Sequence, residues 1–119
     1  MGWWSQQSEE ARTELLGTMS TLQAVTELQE WVAKHGFDET STIWGKGPAI
    51  DCTLLKNAMR RVGVVPFWGF WQERCVRTAL QFAPGANNLP FVGVRHRAED
   101  DANHEAYQVA YALRHFGII

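Results

Sequence analysis

The most regular apolar spacing in the chain lies near its C-terminus and predicts a long amphipathic helix over residues 98–115. Apolar side chains recur there at steps of three and four residues, at Ala102, Ala106, Val109, Leu113 and Phe116. Acidic residues crowd the predicted first turn, where the helix dipole favours negative charge. A helix of this length must bury its apolar face against other elements, so we expect the rest of the chain to supply them.

Cap and stop residues predict two further helices in the first third of the chain. Ser8 precedes two glutamates and can cap a short helix that ends by Gly17. Ser20, with Gln23 three positions later, has the spacing of a capping box. Apolar residues at near-helical spacing follow it, and Gly36 is expected to end this second helix.

The middle of the chain predicts one strand, one helix and one segment whose pattern fits either a strand or a helix. Residues 41–44 favour a brief strand before a glycine and proline loop. A third helix follows and stops at Gly63, with a predicted apolar stripe of Ile50, Leu54, Ala58, Met59 and Val62. In residues 67–82 the aromatic start is typical of a strand, and the part from about Cys75 is typical of a short helix.

Length and composition limit the class of protein. We expect a single domain over residues 1–119 of helix-rich α+β class, with about four to five helices and one or two short strands. A net charge of −2 argues against a nucleic-acid binder driven by charge alone. The sequence contains no apolar run of membrane-spanning length and no export signal, which predicts a cytoplasmic protein. Two cysteines without C-x-x-C spacing favour reduced thiols.

A histidine lies five residues before an aspartate at the start of the predicted last helix. His96 falls in the approach loop and Asp101 in the first helical turn, so both side chains can face one cleft. In such a cleft the imidazole can take a proton from a water molecule on a metal that the carboxylate binds. The alternative, in which the acidic residues only complement the helix dipole, stays open on this pattern alone.

Four segments in this order resemble the DnaQ-like DEDDh 3'-5' exonucleases, in particular the compact exoribonucleases of bacteria and their phages. They are "WWSQQSEEART", "IWGKGPAIDCTLLKNAMRRVGV", "FWQERCVRTAL" and "FVGVRHRAEDDANHEAYQVAY". The resemblance spans most of the chain and implies an RNase H-like fold in truncated form. It also implies 3'-5' hydrolysis of RNA or DNA ends.

In that family four acidic residues hold two divalent cations, and a histidine acts as general base. The resemblance places Asp51 and Asp101 among the Mg²⁺ or Mn²⁺ ligands and His96 as the base. The family's first motif, an Asp-x-Glu on the opening strand, would precede Trp3, whereas Glu9 and Glu10 match an additional acidic helix. We therefore expect half of the active site to be missing, a metal to bind only if another segment completes it, and the chain alone to be inactive.

Three smaller departures accompany the missing motif. Lys46, Ile50 and Cys75 stand where the family usually has asparagine, phenylalanine and aspartate. None of these positions is a metal ligand in the family pattern. Their accumulation is typical of relaxed catalytic constraint.

Without the first motif the sheet would also lack its first three strands, and the strand at residues 41–44 would expose an unpaired edge. We therefore expect a homodimer or another protein partner at this edge and at Trp3 and Trp4, with no membrane association. Arg95 and Arg97, which flank His96, are candidate RNA or DNA contacts. The alternative function is a non-catalytic phage counter-defence protein of the anti-CRISPR type, in which the exonuclease-derived scaffold binds a host protein or nucleic-acid complex.

Overall fold

The computed structural model describes residues 2–119 and confirms a helix-rich α+β chain with a small parallel sheet. In chain order the elements are α1 (Gly2–Ser5), α2 (Glu9–Thr13), α3 (Thr21–Lys34), β1 (Ile43–Gly45), α4 (Pro48–Arg61), β2 (Glu73–Cys75), α5 (Val76–Gln81) and α6 (Ala98–His115). None of the helices within residues 2–119 is both long and apolar enough to cross a membrane.

The chain forms two compact units. Residues 19–76 form one, called here the middle unit, and the segments before residue 19 and after residue 76 together form the other, called the terminal unit. The RNase H-like fold that the resemblance implies stays a prediction.

The middle unit begins with the helix that its cap predicts. Ser20 Oγ accepts the backbone N–H of Gln23 at 3.2 Å, so one half of the expected capping box is present. The Gln23 amide instead lies 3.4 Å from the Glu27 carboxylate. At the other end, α3 stops at Lys34 and Gly36 adopts φ +82°, the left-handed conformation that commonly follows a helix.

The sheet of the middle unit has two parallel strands of three residues. Ile43 pairs with Glu73 and Gly45 with Cys75, and the connection between the strands runs through α4. The core next to the sheet contains four buried side chains: Val25, Cys52, Met59 and Trp68. Burial raises the pKa of the Cys52 thiol, so this cysteine is protonated and packs as a small apolar side chain.

Two expectations for the middle unit are wrong in detail. Ile50 and Leu54, placed on the buried stripe of α4, are 66% and 63% exposed. Met59 of that stripe is buried as predicted, and it shares the buried face of α4 with Cys52, because this is the face that meets α3 and the sheet. The aromatic start of residues 67–82 is not a strand either, since a 3-10 turn occupies Phe70–Gln72 and the strand begins at Glu73.

A salt bridge connects α4 with β2, and the same carboxylate accepts a hydrogen bond. The Lys56 ammonium forms a salt bridge with the Glu73 carboxylate, which also accepts the indole N–H of Trp68 at 3.0 Å. The same ammonium lies 5.5 Å from the centre of the Trp68 ring. The hydrogen bond from Lys56 outweighs desolvation and lowers the pKa of the Glu73 carboxyl, helped by the bond from Trp68. The ionised pair is therefore an integral part of the middle unit.

In the terminal unit the cap of α2 and the bounds of α6 agree with the sequence. Ser8 Oγ accepts the Ala11 N–H at 3.1 Å, although α2 ends at Thr13, before Gly17. α6 spans residues 98–115 as predicted, but its buried face includes only Val109 of the predicted stripe. Ala102 and Ala106 are exposed, and the buried side chains are those of Gln108, Val109 and Ala112. The buried Gln108 amide nitrogen donates to the Ala86 carbonyl at 3.1 Å.

Lys56→Met is expected to lower the free energy of unfolding by about 2–4 kcal/mol, because it leaves a mostly buried Glu73 carboxylate without its cation. Lys46→Met, which removes an exposed lysine from the loop between β1 and α4, should change it by less than about 0.5 kcal/mol. Urea denaturation followed by tryptophan fluorescence measures both.

The pH dependence provides a second measurement of the same pair. The pKa of Glu73 lies below its ordinary value of 4.5, so the stabilisation is present above that pH and is lost as the pH falls through the lowered pKa. The stability difference between wild type and Glu73→Gln should therefore shrink in acid. A difference that stays constant from pH 7 to about pH 2 would contradict this account.

Candidate functional site

His96 lies in a tight turn at the entrance to α6. The Arg97 N–H donates to the Val94 carbonyl at 3.2 Å and closes the turn. His96 occupies the third position with φ +70°, and it is the one residue other than glycine with positive φ among residues 2–119. A positive φ at this position is what a type II turn requires, and glycine or asparagine usually supplies it. The surrounding structure therefore has to hold the histidine in a conformation that costs free energy.

Two neighbouring carboxylates of α6 hold the turn in place. Asp101 Oδ1 accepts the backbone N–H of His96 at 3.0 Å, and Asp100 Oδ2 accepts that of Val94 at 2.8 Å. Gly93, with φ +106°, passes so close that a Cβ there would lie 2.5 Å from the Asp100 Cγ. The structure thus brings the backbone of His96 and the carboxylate of Asp101 together, and it assigns Asp100 a supporting role that the sequence analysis missed. That the imidazole and the Asp101 carboxylate face one cleft stays a prediction.

The N-terminal tryptophans border this turn. The Trp3 ring meets the His96 imidazole edge to face, with ring centres 4.8 Å apart, and meets the Trp4 ring in the same way at 5.0 Å. Trp3 nevertheless remains 54% exposed. The predicted interface residues and the predicted general base therefore form one continuous aromatic surface.

The two arginines that flank His96 have different surroundings. Arg97 lies 3.3 Å from the Glu14 carboxylate and 3.7 Å from that of Asp100, so its charge is already balanced. The Arg95 guanidinium lies over the Phe91 ring, 4.6 Å from its centre. Of the two predicted nucleic-acid contacts, Arg95 has no acidic partner within salt-bridge distance in the described chain and is the better phosphate ligand.

Asp51, the third predicted site residue, belongs to the middle unit. It is exposed in the first turn of α4, as the fourth residue of the helix, and Asp101 has the same position in α6. A Cβ at Gly45 would lie 3.4 Å from Asp51 Oδ2 and 3.1 Å from Pro48 Cα. Glycine at the end of β1 therefore allows the close approach of the strand to the start of α4, next to this carboxylate.

Residues 2–119 do not contain three or more His, Cys, Asp or Glu side chains grouped so that they could hold a metal ion. Asp101 uses Oδ1 for the turn and keeps Oδ2 available, and Asp51 is exposed. These carboxylates fit the role of individual ligands. They do not by themselves fit a two-metal centre, which needs bridging and additional oxygen ligands.

Residues 1–113 match the sequence model of a family described as the 3'-5' exoribonuclease Rv2179c-like domain. The class of protein is therefore an exoribonuclease-like domain. Because the match covers nearly the whole chain, the chain belongs to the Rv2179c-like family. No curated protein and no solved structure matches it.

Gly93→Ala is expected to lower the free energy of unfolding by about 2–3 kcal/mol, because an alanine there has positive φ and also collides with the Asp100 carboxylate. Gly36→Ala is the matched control, since Gly36 has φ +82° and no atom near its Cβ position. That change should cost about 1 kcal/mol. Equal losses in the two variants, measured by urea denaturation, would show that the contact between Gly93 and Asp100 does not hold the turn.

Proposed function

We propose that this chain supplies part of a DEDDh-type 3'-5' exonuclease site, with Asp51 and Asp101 as ligands of divalent cations and His96 as general base. The observation that carries the proposal is the pairing of His96 with Asp101 at the entrance to α6, in a chain of exoribonuclease-like family. The substrate is the 3' end of RNA or DNA. The Asp-x-Glu ligands, a pattern that does not occur in these 119 residues, come from another segment.

In the completed site, His96 takes the proton of the attacking water. The water oxygen bonds to the terminal phosphorus, and the bond from phosphorus to the 3' oxygen of the preceding nucleotide breaks. The 3' oxygen takes up a proton from solvent, and a nucleoside monophosphate leaves. Divalent cations supply Lewis acidity to this step when bound. The left-handed backbone at His96 and its hydrogen bond to Asp101 fix where the imidazole stands relative to the carboxylate.

The two oxygens of the Asp101 carboxylate have different tasks, which suits this residue to the role of a metal ligand. One oxygen accepts the backbone N–H of His96, and the other remains available as a ligand. A carboxylate held in this way is oriented before a cation arrives, which lowers the cost of forming the site.

The alternative proposal is a non-catalytic binding protein, such as a counter-defence factor, that acts through its exposed apolar surface. The observation in its favour is the number of large apolar side chains in solvent, among them Trp3, Leu54 and Trp71. Exposed apolar surface of this extent is typical of a protein with a missing partner, either another chain or a second copy. Under this proposal Asp51, His96 and Asp101 are relics.

The 119-residue chain alone is expected to show no nuclease activity on single-stranded RNA or DNA in Mg²⁺ or Mn²⁺, because it offers too few metal ligands. Fusing a family segment with the Asp-x-Glu strand ahead of Met1 should restore 3'-5' degradation. In the fusion, Asp51→Asn, His96→Gln and Asp101→Asn should each lower the rate at least about a hundredfold.

Glu99→Gln and His115→Gln, which change exposed groups on α6, serve as controls. Robust activity of the unfused chain that is lost in Asp101→Ala would contradict the incomplete-site part of the proposal.

The binding alternative predicts the opposite ranking of variants. Trp3→Ala with Trp4→Ala should weaken assembly or partner binding by about 2 kcal/mol or more per tryptophan, because large aromatic side chains dominate desolvated interfaces. Asp51→Asn and Asp101→Asn should leave fold and binding unchanged, since they remove charge without opening a cavity. Light scattering and thermal unfolding measure assembly and fold. A strictly monomeric mass in wild type and in the double tryptophan variant would remove the self-association form of this alternative.

A further inference from the structure

A concave surface lies on the terminal unit, between α6 and the loop that precedes it. It has a volume of about 390 Å³ and is lined by Pro90 and Val92 from the loop before α6, and by Asn103, His104 and Tyr107 from α6 itself. This volume falls within the range of small-molecule sites. No residue of the proposed catalytic set lines it.

The lining combines exposed apolar faces with a few hydrogen-bonding groups. Val92 is 81% exposed and Tyr107 is 48% exposed, so both present apolar surface to solvent at the pocket. Asn103 offers an amide donor and acceptor, and His104 offers ring nitrogens. A flat ring with hydrogen-bonding atoms on its edge fits this lining, because its face can pack on the apolar side chains and its edge can bond to the polar ones.

A cation stands next to the pocket. The His104 ring packs against Phe91 with centres 4.9 Å apart, and the Arg95 guanidinium lies over the same Phe91 ring. Phe91 lies between the two loop residues that line the pocket. The Arg95 charge is therefore held at the pocket rim by an aromatic ring, where it suits a phosphate.

The pocket and the candidate metal ligand occupy different faces of α6. At 100° per residue, the side chains of Asn103, His104 and Tyr107 centre about 110° around the helix axis from Asp101, and about one turn further along it. A chain of nucleotides can therefore reach both faces, but one nucleotide cannot occupy both.

We propose that this pocket binds one nucleotide of a single-stranded nucleic acid, with the base against Tyr107 and Val92, the base edge at Asn103 and His104, and a phosphate at Arg95. A base paired within a duplex cannot offer its faces to Tyr107, so the site selects unpaired strands. The nucleic-acid class rests on the proposed function. The site itself is separate from the metal ligands.

The test measures binding of the full 119-residue chain to a short 5'-fluorescein single-stranded RNA by fluorescence anisotropy in EDTA, so that no divalent cation takes part. Tyr107→Ala should weaken binding by about 5- to 150-fold, the equivalent of about 1–3 kcal/mol of lost stacking. Tyr107→Phe, which keeps the ring, should stay within about twofold of wild type. Phe82→Ala is the matched control, because Phe82 is a 62% exposed aromatic of the same unit outside the pocket.

Two further arms identify what the pocket holds. Arg95→Ala should reduce the slope of log affinity against log salt by about 0.7, as expected for one phosphate contact, whereas Arg77→Ala should not. With an RNA of abasic nucleotides, Tyr107→Ala should change affinity less than about twofold, because no base is present to stack. Thermal unfolding of each variant shows that the unit remains folded.

The proposal is overturned if wild type does not bind RNA saturably, or if Tyr107→Ala and Phe82→Ala weaken binding equally. It is also overturned if Tyr107→Ala alters the mass by light scattering and leaves RNA affinity unchanged, since the pocket would then hold a second copy. Tyr107-dependent binding by a chain whose Asp-x-Glu fusion remains inactive would support the pocket and contradict the proposed function. Activity of the fusion without Tyr107-dependent binding would do the reverse.

Discussion

The turn at residues 94–97 exists because two adjacent carboxylates at the start of α6 accept its backbone N–H groups. A histidine with positive φ is costly, and the bonds from Val94 to Asp100 and from His96 to Asp101 offset that cost. Both carboxylates lie in the first turn of α6, where the helix dipole also favours their negative charge. The position of the imidazole, its contact with Trp3 and the placement of Arg95 all depend on this turn.

The same arrangement explains why an acidic helix start is not evidence of a metal site by itself. Asp100 Oδ2 accepts the Val94 N–H and also lies 3.7 Å from the Arg97 guanidinium. Asp101 Oδ1 accepts the His96 N–H, and within residues 2–119 this carboxylate has no salt bridge. The two carboxylates therefore differ in their individual partners, a cation and a backbone N–H for Asp100 and a backbone N–H for Asp101, which the run Glu99, Asp100 and Asp101 does not reveal.

The middle unit meets a different constraint, because two strands of three residues bury little by themselves. Its parallel pair is covered by α4, and the pair Lys56 and Glu73 ties that helix to β2 beside the buried Trp68. Parallel strands normally occur in larger sheets with both faces covered. The short sheet and the exposed Ile50 and Leu54 agree with a unit that has further surface to offer a neighbouring segment or chain.

Local patterns in the sequence determined the main helices and placed His96 and Asp101 at the start of the last one, because caps, stop glycines and short spacings act within one or two turns of chain. Ser8 and Ser20 cap as predicted, and α6 has the predicted bounds. Periodicity identified the buried faces only in part: Met59 and Val109 are buried as predicted, whereas Ile50 and Ala102 are exposed, because spacing defines a stripe without stating which side meets a neighbour. Only the tertiary structure decided the partners of Lys56, Arg97 and Phe91, because these contacts join residues far apart in the chain or depend on the path of a loop. The pocket at Tyr107 belongs to the same class: its lining comes from a loop and a helix whose packing no spacing rule records.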